Sequence, residues 1–248
     1  RSWQYFQLLK RFGGVPIIES VIPTNDDNLL KTPRSSRSET VDFIIEDLDK
    51  AISMMDARDE NRGNQWINKD VALAFKSRVA LYEGTWEKYH FGGDFGIPGS
   101  NGSSYLKQAF DAAQILMNSG RYGIWKGTDQ SYTDLFIQED LSSNREVIWW
   151  KEYNIQDQFV TRMMTIWGGY VTKDFIDTYL EDDGNPIAVN NEDNPSSGTS
   201  YFWVNESDMS EDRDPRLIQT ILLSNDIVND TEKQNLPGNQ SFSLTMRK

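Results

Sequence analysis

Residues 3–18 read Trp3-Gln4-Tyr5-Phe6-Gln7-Leu8-Leu9-Lys10-Arg11-Phe12-Gly13-Gly14-Val15-Pro16-Ile17-Ile18. Trp3, Phe6, Leu9 and Lys10 recur at helical spacing, which predicts a helix with one packed face. Gly13 or Gly14 supplies the left-handed residue that ends a helix, and Pro16 cannot continue one. A short apolar extension, Val15-Pro16-Ile17-Ile18, leads away from that stop.

The helical signal continues outward from this stretch. Ser36-Arg37-Ser38-Glu39 has the spacing of a capping box, and Val41, Ile44, Ile45, Leu48, Ile52 and Met55 form the apolar stripe behind it. Asn68 is placed to cap a third helix running through Tyr82, rich in alanines that let helices approach closely. Its expected partner spans about residues 104–119, with Tyr105, Ala109, Ala112, Ala113 and Leu116 inward and Gly120 as the stop. Paired helices with alternating Ala and aromatic positions are tetratricopeptide-like, although no regular repeat period is present. The predicted class is mostly α: a helical-hairpin scaffold with long irregular loops and a few short strands.

The excursions carry the remaining signal. Residues 88–103 form a long Gly-rich, aromatic insertion that lacks the Gly-Lys-Ser/Thr ending of a phosphate loop. Loops of such length commonly cover or bind something. In the later part, Glu146-Val147-Ile148-Trp149-Trp150-Lys151-Glu152 predicts one short strand. Met163 to Tyr170 is a Gly-flanked aromatic loop, and Lys173 to Leu180 predicts a short helix stopped by Asp183-Gly184-Asn185-Pro186. In Arg213-Asp214-Pro215-Arg216-Leu217, two guanidiniums flank a turn and are suited to hold carboxylates or carbonyls.

Composition narrows the chemistry. The 248 residues carry a net charge of −13, which argues against a nucleic-acid partner. Cysteine is absent and His90 is the single histidine, so thiolate sites, disulfides and multi-histidine metal centres are excluded. His90 itself reads as structural or solvent-facing. Mean hydropathy is −0.62 and no apolar run is long enough to span a bilayer. Aromatic residues make up 12% of the chain, with eight Trp, and many lie outside the periodic helices. Rings in loops offer flat apolar area with a polar tip, a common binding device.

An ordered series of segments resembles the SusD/RagB family of outer-membrane nutrient-binding lipoproteins. The series begins with Arg11-Phe12-Gly13-Gly14-Val15-Pro16, then Arg37-Ser38-Glu39 leading into Ile45-Glu46-Asp47-Leu48-Asp49-Lys50-Ala51. Asn68-Lys69 with Arg78-Val79-Ala80-Leu81-Tyr82 follows, and then Ala109-Phe110-Asp111-Ala112-Ala113 with Ser119-Gly120-Arg121-Tyr122. Phe175-Ile176-Asp177-Thr178-Tyr179, Asp183-Gly184 and Arg213-Asp214-Pro215-Arg216-Leu217 complete it. The family's lipid-modified N-terminal Cys, its first helices and its C-terminal helical region have no counterpart in these residues. The expectation is therefore a single SusD-like domain over 1–248, incomplete at both ends, with a helical-hairpin part at 1–122 and a loop-rich part at 123–248.

The resemblance implies a lipid-anchored protein on the cell surface of a Bacteroidota-type bacterium. It would capture an oligosaccharide and deliver it to a SusC-like TonB-dependent transporter, its membrane contact made only through an N-terminal lipid anchor outside this sequence. Aromatic platforms bury the apolar faces of sugar rings while Asn, Asp, Gln and Arg satisfy the hydroxyls. The loop aromatics Trp66, Phe95, Trp167, Tyr170, Tyr201 and Trp203 suit that role, as do Asn25, Asp26, Asp27 and Asn28 beyond the Val-Pro extension. The ligand-binding set expected here is Asn25, Asp26, Asn28, Trp66, Trp167, Tyr170 and Trp203, with no catalytic residue, no cofactor and no metal ligand. Three alternatives stay open. A RagB-like member would bind peptide; an all-helical glycoside hydrolase would use paired carboxylates among Asp182, Asp183, Glu192 and Asp193; and a structural calcium would sit near Asp182-Asp183-Gly184-Asn185, where EF-hand spacing is absent.

Overall fold

A computed structural model describes residues 1–21, 23, 25, 30–59, 65–126, 131–138, 140–151, 175, 176, 178–186 and 213–220. The described helices are α1 (Ser2–Phe12), α2 (Arg37–Met54), α3 (Lys69–Tyr89), α4 (Ser103–Asn118), α5 (Ser131–Ile137) and α6 (Arg216–Thr220). The described residues form no sheet; the isolated bridge Glu181–Arg213 is the β pairing among them. The chain divides into two compact units, Arg1–Trp125 with Asp140–Glu152, and Lys126–Glu139 with Tyr153–Lys248.

In the first unit α1 packs on α2, α2 on α3 and α3 on α4. Gly13 ends α1 at φ +69° and ψ −132°, a positive-φ conformation outside the left-handed helical well that glycine adopts at least cost. Arg34 then satisfies the freed carbonyls, donating to Phe12 O and, at 2.7 Å, to Gly14 O. The inward face of α1 is Tyr5, Phe6 and Leu9 rather than the expected Trp3, Phe6, Leu9 and Lys10. The Tyr5 hydroxyl accepts from Ile18 N at 2.7 Å, so this ring is drawn under the Val-Pro extension. Trp3 stays 52% exposed, resting on Phe75 at 5.4 Å, and Lys10 lies over the Phe6 ring.

The capping box of α2 is present in both directions, Glu39 N to Ser36 Oγ at 3.2 Å and Ser36 N to Glu39 Oε2 at 2.7 Å. Buried Thr40 accepts from Val15 N and donates to Ser36 O, which seats the extension on the start of α2. Behind the cap, Val41, Ile44, Ile45 and Leu48 join Phe6, Leu9 and Val79 in the main core. Phe6 meets Phe75 and Tyr82 edge-on at 5.6 and 5.5 Å. Ile52 and Met55, the end of the stripe, are only partly buried against it.

Two fully buried carboxylates on α3 fix its neighbours. Asn68 caps the helix by accepting from Asp70 N and Val71 N, which leaves the Asp70 side chain free to turn inward. Asp70 accepts from Arg121 Nε at 2.8 Å and Nη2 at 2.7 Å, and from the Tyr122 hydroxyl at 2.8 Å, just beyond α4. Burial alone would raise the Asp70 carboxyl, but these donors outweigh it and hold the group below the usual carboxylate range. Burial and Asp70 together push the Tyr122 hydroxyl up to about 12. Glu83, one turn before the last buried residue of α3, Glu87, takes a fork from Arg37 at the start of α2, Nη2 to Oε2 at 2.7 Å and Nε to Oε1 at 2.8 Å. There burial dominates, and with Glu87 and Asp42 nearby the Glu83 carboxyl is raised despite Arg37.

Close helix contact completes the unit. A Cβ added at Gly84 would stand 2.7 Å from Leu106 Cγ and 2.8 Å from Leu106 N, so α3 and α4 meet where α3 has no side chain. Leu73, Ala112 and Leu116 form a smaller core that Ile148 and Tyr122 cover. The expected strand at 146–152 is not formed over its described residues, 146–151. Among the described residues its β-formers have no neighbouring strand, and Asn144 instead organises turns, accepting from Glu146 N on its side chain and from Val147 N on its carbonyl.

In the second unit, Arg213 Nη2 donates to Ile176 O at 2.9 Å and Tyr179 O at 3.0 Å, and Asp214 N donates to Leu180 O at 3.0 Å. Arg216 forks onto Asp214, so the flanking guanidiniums hold carbonyls and a carboxylate as the motif predicts. Ile176 and Leu217 are buried beneath this turn. Of the helix expected at 173–180, Phe175 and Ile176 are helical, whereas Thr178, Tyr179 and Leu180 form a turn and irregular backbone, with Tyr179 O and Leu180 O taken by Arg213 and Asp214.

Replacing Asp70 by Asn should lower the unfolding free energy at pH 7 by about 3 kcal/mol, because Arg121 is left without its charge partner. The Asp70 contribution is present above the ordinary carboxylate range and is lost as pH falls through its depressed value, so urea unfolding at pH 3 should show a smaller gap between the two proteins. Glu83 runs the other way, losing stability as pH rises through its raised value. Gly84→Ala should cost about 1–3 kcal/mol by overpacking against Leu106, read from the same unfolding curves.

Candidate functional site

The approach to α3 presents an indole on a fixed backbone. Asn68, the helix cap, also donates from Nδ2 to Trp66 O at 3.2 Å. On the other side, Trp149 Nε1 donates to Gln65 O at 3.1 Å. Trp66 is 67% exposed on this pinned segment, beside exposed Ile67. Such a ring offers apolar area and an N–H donor, with little backbone freedom left to lose on binding. Trp149 is the residue that sequence reasoning missed here. Its sequence context predicts a strand, and a contact with Gln65, 84 positions away, has no local signal.

The insertion after α3 is ordered around Trp86. His90 donates from Nδ1 to Trp86 O at 2.8 Å and stacks on the Trp86 ring at a centroid distance of 4.1 Å. Phe95 stands edge-on to His90, and its carbonyl accepts from Trp86 Nε1 at 3.3 Å. Arg37 covers the Trp86 ring at 4.2 Å while it holds Glu83. Ser100 closes the loop by donating to buried Glu87 at 2.5 Å. His90 is thus structural, as its sequence context implied. The loop turns Phe91 and Phe95 outward, with Tyr89 exposed at the end of α3.

Asn25 is exposed in a turn between α1 and α2. No described hydrogen bond or ring contact joins it to Trp66. Asp26, Asp27, Asn28, Trp167, Tyr170, Tyr201 and Trp203 lie outside the described residues, as do Glu192 and Asp193. Asp183 is engaged locally: both its oxygens accept from Asn185, at 2.8 Å from the backbone N and 2.7 Å from Nδ2. Those bonds hold its carboxyl below the usual range. Among the described residues, no three His, Asp or Glu side chains converge as metal ligands.

Residues 1–81 match a SusD-like family model described as starch-binding and associating with the outer membrane. No curated protein matches the chain. A solved SusD-like protein of Bacteroides fragilis is 27% identical with a TM-score of 0.62, over 88% of this chain and 40% of that one. A SusD-like carbohydrate-binding protein from the same organism is 21% identical with a TM-score of 0.57, over 88% of this chain and 38% of that one, and shares the fold. The chain therefore spans about 40% of the length of the first of these structures. The helical scaffold, the motif residues and these matches agree: residues 1–81 match the SusD-like family model, and 88% of the chain is similar to a solved SusD-like protein.

Proposed function

We propose that this protein captures a neutral oligosaccharide at the outer face of the outer membrane and passes it, unaltered, to a SusC-like TonB-dependent transporter. The observation that carries the reading is the match of residues 1–81 to a family described as starch-binding and associating with the outer membrane. The carbohydrate-binding character of the second B. fragilis relative points the same way. The chemistry of the chain is consistent with it. Trp66 offers a sugar-sized apolar platform on a backbone fixed from both sides, and the net charge of −13 favours neutral over polyanionic ligands. Asn25, Asp26 and Asn28 would supply hydroxyl partners, and Trp167, Tyr170 and Trp203 further rings.

Attachment to the membrane is proposed to be through a lipid on an N-terminal segment outside this sequence. No helix among the described residues is long and apolar enough to cross a bilayer. No cofactor enters this proposal, because capture requires only complementary surface.

Calorimetric titration with maltoheptaose and a panel of other neutral oligosaccharides tests the reading. Binding without release of reducing ends is expected; appearance of new reducing ends would replace capture by hydrolysis, and affinity for peptides alone would replace the ligand class. Trp66→Ala and Trp167→Ala should each weaken binding by about 1–3 kcal/mol, the range of aromatic anchors. Trp66→Ala should leave stability within about 0.5 kcal/mol, since the exposed ring contributes little to the core. Purification from native membranes should recover a large β-barrel transporter with the protein, and its absence would remove the delivery step.

A further inference from the structure

The second unit contains an open cleft of about 310 Å³ whose described walls are Tyr132, Thr178, Tyr179, Leu180, Asp214 and Arg216. Segments distant in sequence are locked together to make it. Thr133 Oγ1 donates to Gln219 O at 2.9 Å, and Tyr132 N donates to Gln219 Oε1 at 3.1 Å, which ties α5 to α6. Arg213 fastens the Ile176 and Tyr179 carbonyls to the same turn. The walls are therefore built by the fold rather than by one mobile loop.

Both tyrosine rings are held in place before any ligand arrives. Tyr132 packs edge-on against Phe136 at 5.2 Å, and Tyr179 against Phe175 at 5.5 Å. The Tyr179 hydroxyl donates to Thr220 Oγ1 at 3.1 Å, so its oxygen keeps acceptor capacity. Thr178 donates to Phe175 O at 2.6 Å, which likewise leaves its oxygen as an acceptor. Arg216 spends its Nε and one terminal nitrogen on Asp214. Its side chain is still 63% exposed, so its remaining N–H groups face outward as donors. Because guanidinium and carboxylate cancel, these lining groups offer polar contacts without net charge. An anion would have to compete with Asp214 for Arg216, and a cation would compete with Arg216 for Asp214.

We infer that this cleft is a binding site for a single ring of a neutral sugar, which lies against the Tyr132 and Tyr179 rings and hydrogen-bonds through its hydroxyls to Thr178 and the Asp214–Arg216 pair. Small-molecule pockets run from about 300 to 1,000 Å³, so the cleft is at the small end and takes one ring rather than a glycan chain. This inference rests on the carbohydrate-binding reading above but places a subsite on residues that none of the expected ligand contacts includes. It gives a second function to the Arg213-Asp214-Pro215-Arg216 turn: Arg213 holds the backbone, and Arg216 with Asp214 faces the ligand.

The test is a titration of the isotope-labelled full chain with methyl α-D-glucopyranoside, followed by amide NMR. Saturable shifts are expected at Tyr132, Leu180, Asp214 and Arg216. Tyr179→Leu should weaken that binding by about tenfold, the loss of one aromatic platform, while Tyr179→Phe, which keeps the ring, retains it. Tyr132→Leu provides the same loss from the opposite wall should Tyr179→Leu lose its dispersed spectrum. Shifts confined to residues around Trp66 would overturn the cleft and leave the capture function standing. No shift with this glucoside or with maltoheptaose would count against both. Tighter binding of glucuronate than of the methyl glucoside would overturn the neutral-ring assignment.

Discussion

Two carboxylates with no solvent exposure, Asp70 and Glu83, set the arrangement of the first unit. Both stand on α3, and each is gripped by a guanidinium from another part of the chain, Arg121 beyond α4 and Arg37 at the start of α2. Removing charges from water is expensive, and an ion pair inside a protein recovers that cost only with good geometry and further donors. Asp70 has these in Tyr122 and the Arg58 backbone N–H. A sliding of α3 by one turn would leave both carboxylates buried without partners, a penalty that apolar packing alone does not impose. The clamps therefore act on register more than on net stability.

The motif residues acquire physical meaning in this light. Arg37-Ser38-Glu39 contains both the fork to Glu83 and the return half of the capping box. Ser119-Gly120-Arg121-Tyr122 contains both side-chain donors to Asp70. Arg213 in the second unit performs a related task by holding two backbone carbonyls. Residues that carry the resemblance are thus largely those that hold the frame. The exposed rings Trp66 and Phe95, by contrast, sit on the connecting segments. A pinned loop on a rigid helix stack lets a ring stay exposed and still be positioned, as at Trp66 and Phe95.

Much of the first unit was legible in the sequence because its signals are local. The capping box at Ser36, the Asn68 cap, the Gly13 stop and the apolar stripe of α2 each depend on residues within a turn or two. The strand expected at 146–152 failed for the complementary reason. β propensity reports fitness for a pleated surface, and such a surface exists only when another strand supplies it. The candidate site was legible only as residue types in loops: Trp66 was readable as an exposed ring, whereas its anchor Trp149 was not. The cleft formed by Tyr132, Tyr179 and Arg216 had no sequence signal, since its walls come from separate segments.

The sequence by itself determined the four helices of the first unit, the Ser36 and Asn68 caps, the acidic and cysteine-free chemistry and the resemblance to a family, because these follow from short-range spacing and composition. Tertiary structure alone decided which buried charge meets which, which of the aromatic residues became core and which stayed exposed, and where a cavity opens. Those outcomes depend on side chains brought together across separations such as the 51 residues between Asp70 and Arg121. Only a folded chain satisfies such contacts, because the cost of leaving them unmade arises once water has been excluded.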